Sequence, residues 1–313
     1  MKVNFIVLII VAVLLLFNLI DANVNEDVSA SVIYQSKSQL GEGAYWSTSD
    51  RVLYWLDIDG KKLNIFNPKS LKNEEISLPS IPGTVVQKTN GELVIALRSG
   101  ISIYNQYSKN LKVISHPEKV VTNRYNDGKC DANGRFWVGS MSLENGTPAK
   151  ATLYTIDSRL KVQEKLQNVK ISNGIIWSLD NRAMYYIDTL TMGVDRFDFD
   201  LDSGEISNRK RVITFSGQDG LPDGMTIDSE GYLWVCHYDG GKVTRWNPDN
   251  GNKLMTVWVP GVKKVTSVAF GGDDLSDLFI TTGRDGNSPD SGSLFHYKFT
   301  NGIHGVPSNK FSG

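Results

Sequence analysis

Leu53-Tyr54-Trp55-Leu56-Asp57, Leu93-Val94-Ile95-Ala96-Leu97, Phe136-Trp137-Val138-Gly139-Ser140, Met184-Tyr185-Tyr186-Ile187-Asp188, Leu233-Trp234-Val235-Cys236-His237 and Leu278-Phe279-Ile280-Thr281-Thr282 are six versions of one short run. They are rich in the β-branched and aromatic side chains that suit a pleated, buried surface, and too short to carry the apolar stripe of a helix. Their first residues lie 40, 43, 48, 49 and 45 positions apart. A period of that length, in a chain without sustained helical periodicity after residue 30, signals a propeller whose every repeat supplies one four-stranded blade. One blade alone cannot bury its two faces, whereas a ring of blades can. The six copies therefore predict an all-β, six-bladed β-propeller.

The sequence around each run has a common grammar. A turn precedes it, as in Thr89-Asn90-Gly91-Glu92, Asp131-Ala132-Asn133-Gly134 and Asp228-Ser229-Glu230-Gly231, built from residues that tolerate tight backbone reversal. Another strand follows, as in Leu63-Asn64-Ile65-Phe66 and Val243-Thr244-Arg245-Trp246. Ser31-Val32-Ile33-Tyr34, ahead of the first copy, is expected to complete the last blade and close the ring. Trp137, Trp177 and Trp234 belong to this repeat and are expected in the core.

The 313 residues include 33 basic and 34 acidic side chains, a net charge of -1. So balanced a chain offers no basic field for nucleic acid and none for an anionic membrane. Residues 1–22 read as a secretory signal peptide: Lys2, an apolar run from Phe5 to Ile20 broken by Asn18, then a small residue, Ala22, before a polar stretch. That run falls short of the roughly 20 residues that span a bilayer. The expectation is a secreted protein, free of the membrane after cleavage, with residues 23–313 forming one propeller domain that acts as a monomer. Cys130 and Cys236 sit in strand-like runs without metal-type spacing and are expected as buried thiols. Asn145-Gly146-Thr147 is a glycosylation sequon, followed by Pro148.

Stepping back ten to twelve residues from each run reaches the entrance of the strand nearest the axis. The successive copies read Gly41-Glu42-Gly43, Pro82-Gly83-Thr84, Asn126-Asp127-Gly128, Asn173-Gly174, Asp223-Gly224 and Val265-Thr266-Ser267. A propeller points equivalent positions at one another across its channel. Glu42, Asn126, Asn173 and Asp223 thus form a converging set of hard oxygen donors, the ligand type of Ca²⁺, Mg²⁺ and Mn²⁺. Two carboxylates neutralise a divalent charge and the neighbouring glycines permit close backbone approach. Taken singly, each Asn-Gly or Asp-Gly pair is an ordinary turn; recurrence at matched positions favours a metal site on the central axis.

Gly41-Glu42-Gly43-Ala44-Tyr45-Trp46, Asn123-Arg124-Tyr125-Asn126-Asp127-Gly128-Lys129, Ile171-Ser172-Asn173-Gly174-Ile175-Ile176-Trp177-Ser178 and Pro222-Asp223-Gly224-Met225 resemble the family of senescence marker protein (regucalcin), gluconolactonases and luciferin-regenerating enzyme. The likeness runs over about residues 35–305. It implies a six-bladed propeller holding one divalent cation, Ca²⁺, Zn²⁺, Mg²⁺ or Mn²⁺, through Glu42, Asn173 and Asp223. It also implies that Arg124, Asn126 and Glu144 contact a sugar-type lactone. Ala44 departs from the proline common in the family, beside the ligand and not in it.

A lactone is a cyclic ester, and its hydrolysis needs a polarised carbonyl, an activated water and a stabilised oxyanion, all within reach of a metal with open positions. Asp223 is expected to take the proton of the attacking water, with Arg124 and Asn126 orienting the substrate. A serine triad is disfavoured: there is no Gly-x-Ser-x-Gly, and the histidines stand at 116, 237, 296 and 304. Other readings compete. Arg124 as a surface ion pair, Glu144 as a solvated side chain, Asp127 and Lys129 as turn braces and His237 as a structural hydrogen bonder are the plainer alternatives. At the level of the whole protein, the alternatives are a non-catalytic calcium-binding, regulatory module and a propeller that binds proteins through its rim.

Overall fold

The computed structural model describes residues 27–144, 150–286 and 288–313. The expected leader and the sequon at Asn145 lie outside the described residues. Six sheets stand around an axis; four are made wholly of consecutive antiparallel strands, and a fifth of four such strands and one more. In the sixth, Ser31–Tyr34 is the outermost strand beside Leu294–Lys298, so a strand from the beginning of the propeller closes the ring as its sequence suggested. Val28–Ser29, which has no sequence signature, adds a parallel strand to the outer edge of the fifth blade, against Val257 and Trp258.

Each of the six quoted runs is the second strand of its blade and is almost completely buried. The apolar core lies in the wedges between neighbouring blades: Tyr54, Val85, Ile95, Tyr125 and Val138 of the first three blades share one cluster. Trp137 and Trp234 are fully buried, and Trp177 nearly so. A shared device fixes the first two. The turn aspartates Asp131 and Asp228 accept the indole N–H of Trp137 and Trp234, each at 2.9 Å. Their other oxygens accept backbone N–H groups of the turn. The turn signal and the core tryptophan are thus one hydrogen-bonded unit, which satisfies polar groups that burial would otherwise penalise. Cys130 and Cys236 are free and buried, and burial pushes both thiols up. His237 shares a 2.6 Å hydrogen bond with Thr244 and is driven down to about 3 by burial, so it stays neutral as a structural group.

All six innermost strands carry the same irregularity. Two residues on each face one on its partner, between Glu42 and Tyr45, Pro82 and Val85, Tyr125 and Gly128, Ser172 and Ile175, Pro222 and Met225, and Val265 and Val268. A bulge bends its strand and re-aims the extra side chain. Repeated six times around one axis, it makes a ring of redirected positions. At the opposite end of the ring, the C-terminal segment runs across the blades. Gly305 bridges Asp228, Phe311 is bonded on both sides to Gln87 and Thr89, and Ser312 reaches Gly134.

Candidate active site

The bulges place the predicted residues. Asn126, Asn173 and Asp223 are the first bulged residue of blades three, four and five, equivalent to Gly83 and Thr266 in blades two and six. Glu42 does not share that slot. It pairs with Leu56 one residue earlier, and the slot of blade one belongs to Gly43, at φ 62°. The alignment of Glu42 with the other three is therefore corrected by one residue: a left-handed glycine turns the strand, and the longer glutamate side chain reaches from its neighbour. Tight packing of the inner strands requires glycine next to the ligands too. A Cβ on Gly174 would stand 2.8 Å from the Asp223 carbonyl, and one on Gly224 would stand 2.7 Å from that of Thr266.

Glu42, Arg124, Asn126, Asn173 and Asp223 are all buried and line one axial cavity of about 230 Å³. The structure thus brings together the five residues expected at the axis. Arg124 is no surface ion pair: its guanidinium donates to the Tyr125 carbonyl at 2.9 Å and to Asn126 Oδ1 at 2.7 Å. Glu144 behaves differently. It is exposed and does not line the cavity.

The amide orientations follow from the network. Thr189 Oγ1 donates to the Pro222 carbonyl at 2.9 Å, so it can only accept from Asn173, whose Nδ2 lies 2.7 Å away. Asn126 Nδ2 donates both to the Ser172 carbonyl at 2.7 Å and to Asn173 Oδ1 at 3.1 Å. Asn173 Oδ1 therefore keeps a free lone pair as a neutral oxygen donor, and Asn126 Oδ1, which accepts one bond from Arg124, keeps one too. Asn126 thereby ties Arg124 to Asn173. Thr189 went unnoticed in the sequence because it belongs to no repeated run. Two aspartates that close such runs also matter. Asp57 accepts the N–H of Leu40 and Asp188 that of Ile171, at 3.1 and 3.0 Å, which fixes the chain two residues ahead of Glu42 and Asn173.

Electrostatics shows what the set lacks. Burial first, then the charge of Asp127, pushes Glu42 up to about 8 against the pull of the Gly43 N–H and Arg124. Burial, Glu42 and Asp127 likewise raise Asp223 well above the usual carboxylate range. Asp127 gives one oxygen to the Gly128 N–H at 2.7 Å, and its buried Oδ2 has no hydrogen-bond partner. Carboxylates crowded out of water in this way are costly unless protonated or matched by a cation. Two carboxylates and one oriented amide oxygen fit a hard divalent cation. Among the described residues there is no cluster of three or more His, Cys, Asp or Glu side chains arranged for a metal, so the amide is an essential part of that fit.

Residues 40–284 match the family model described as the SMP-30/Gluconolactonase/LRE-like region. The chain is 36% identical over 289 residues to regucalcin of Xenopus laevis, covering 88% of this chain and 95% of that protein. It is 36% identical over 284 residues to a putative sugar lactone lactonase of Bacillus subtilis, covering 87% of this chain and 96% of the lactonase. Among solved structures, a luciferin-regenerating enzyme superposes with a TM-score of 0.83 at 29% identity, over 88% of this chain and 96% of that one.

Proposed function

The chain belongs to the SMP-30/gluconolactonase/LRE-like family, and from that premise we propose that it is a metal-dependent lactonase acting on small lactones, sugar lactones among them. The observation that carries the reading is the pair of buried carboxylates, Glu42 and Asp223, raised in proton affinity beside an oriented amide oxygen in an open cavity.

Glu42, Asn173 and Asp223 would hold a divalent cation, which supplies Lewis acidity toward the lactone carbonyl and acidifies water. Asp223 accepts the proton of the water whose oxygen attacks the carbonyl carbon. Arg124, held by Tyr125 and Asn126, presents a fixed positive charge to the oxyanion that develops. When the ring C–O bond breaks, Asp223 returns the proton to the departing alkoxide, and the product is an open-chain hydroxy acid. Asn126 and Thr189 keep Asn173 in orientation throughout. We further propose that residues 1–22 direct export and are removed.

The test is hydrolysis of gluconolactone and related lactones by the purified protein, with chelator and with added Ca²⁺, Mg²⁺, Mn²⁺ or Zn²⁺. Turnover should require the cation and fall at least ~100-fold in Asp223→Ala, the scale of a lost general base. Equal rates in wild type, Asp223→Ala and Glu42→Ala would overturn the mechanism. The alternative, a calcium-binding regulatory module, predicts cation binding without turnover of any lactone.

A further inference from the structure

Among the described residues, the axial cavity combines the polar set with Leu40, Met141, Ile171, Leu221 and the ring of Tyr238, each half-buried. The apolar wall continues outward on blades three and four. Met141 and Ile171 stand side by side across a bridge between those blades. Leu143 lies two residues beyond Met141, just past the end of its strand at Ser142, and is 43% exposed. Leu190 follows Thr189, which lines the cavity, and is 47% exposed. A polyhydroxylated ring seated here would set hydroxyls against this hydrocarbon, which costs free energy for each unpaired group.

Resting on the lactonase reading, we propose that the preferred substrates are lactones carrying an apolar arm, the ester seated on the polar set and the arm lying along the Met141–Ile171 wall toward Leu143 and Leu190. The geometry favours this occupant because Met141 and Ile171 line the same cavity as Asn173, with the exposed Leu143 and Leu190 next in the chain to residues that line it. A hydrophilic lactone gains nothing from the track, whereas each methylene laid on it leaves water.

The experiment measures kcat and KM for unsubstituted δ-valerolactone and for its propyl, pentyl and heptyl derivatives, with gluconolactone alongside, using the full secreted chain loaded with its best cation. A buried methylene is worth about fourfold in binding, so KM should fall by up to that factor per added methylene until the track ends. In the double variant Leu143→Ser, Leu190→Ser the dependence of KM on chain length should flatten, with the heptyl compound losing more than the propyl. If KM is independent of chain length while turnover still requires Asp223, the apolar-arm proposal falls and the lactonase reading stands. If no lactone is turned over with any cation, both fall together. If gluconolactone is preferred over every alkyl lactone, the substrate class proposed here is wrong.

Discussion

Replacing Glu42 with glutamine should change the protein's stability in opposite directions depending on whether a cation is present. Glutamine keeps an oxygen that can accept the Gly43 N–H, which Glu42 accepts at 3.0 Å, and keeps the side-chain volume, but it never ionises. Without a cation, Glu42 in the folded protein titrates at about 8, against 4.5 when unperturbed. A carboxyl raised on folding contributes stability that is fully present below its unfolded value and is lost as pH rises through the folded one. At pH 7 the unfolded side chain is ionised and the folded one keeps its proton. The roughly 2.5 pH units above 4.5, at ~1.4 kcal/mol each, put that loss near 3 kcal/mol. Cation-free Glu42→Gln should therefore be more stable than cation-free wild type at pH 7 by up to about 3 kcal/mol, and the gap should close toward pH 4.5. With a cation at ~1,000 times its Kd the wild type gains about 4 kcal/mol, and the variant, having lost a charged ligand, gains little. The order of stabilities then inverts. Urea unfolding at several pH values, with chelator and with saturating Ca²⁺, measures all four terms. A cation-free variant less stable than wild type at pH 7, or equal stabilisation of both proteins by Ca²⁺, would refute the account of the axial charges.

Three further outcomes are expected. Phe311→Ala should cost ~3–5 kcal/mol in unfolding free energy, because the fully buried ring at the end of the C-terminal segment packs on Phe136 with centroids 6.4 Å apart; a loss under ~1 kcal/mol would show that the segment adds little. Asp188→Ala leaves the N–H groups of Lys170 and Ile171 without their acceptor and should cost ~1–3 kcal/mol while weakening cation binding through Asn173, read by calorimetric titration; unchanged affinity would remove Asp188 as a positioning residue. Mass spectrometry of protein recovered from a secreting host should find Asn23 at the N-terminus, and an intact Met1 would refute cleavage.

The fold was legible because each blade repeats one buried strand, and burial of a repeated strand leaves a compositional mark every 40–49 residues. The closing strand Ser31–Tyr34 shared that mark; Val28–Ser29, at two residues, is too short to have one. The C-terminal segment around Phe311 was illegible for another reason. Apart from the one buried ring of Phe311, it is tied by isolated backbone bonds to Gln87, Thr89 and Gly134, which place no demand on side-chain pattern.

At the axis, residue types were legible and their register was not. Hard oxygens beside glycines at matched positions announced a converging set, and Glu42, Asn173 and Asp223 do share a cavity. Counting positions, however, assumes regular strands, and every inner strand contains an inserted residue. In blade one the insertion begins at Gly43, so the slot is filled by backbone and the ligand comes from the residue before it. The bulge also brings two amides together. Asn126 and Asn173 occupy the same slot in adjacent blades, close enough for one to donate to the other at 3.1 Å. That contact orients Asn173, and the Arg124 guanidinium on Asn126 Oδ1 orients Asn126 in turn. Removing that guanidinium, for example with Arg124→Met, should leave Asn126 Oδ1 without its donor, raise Asp223 further by removing the cation that opposes its shift, and leave binding of a divalent metal intact while turnover fails. Loss of metal binding in Arg124→Met, measured by calorimetric titration, would show instead that the guanidinium is needed to hold the ligand set itself.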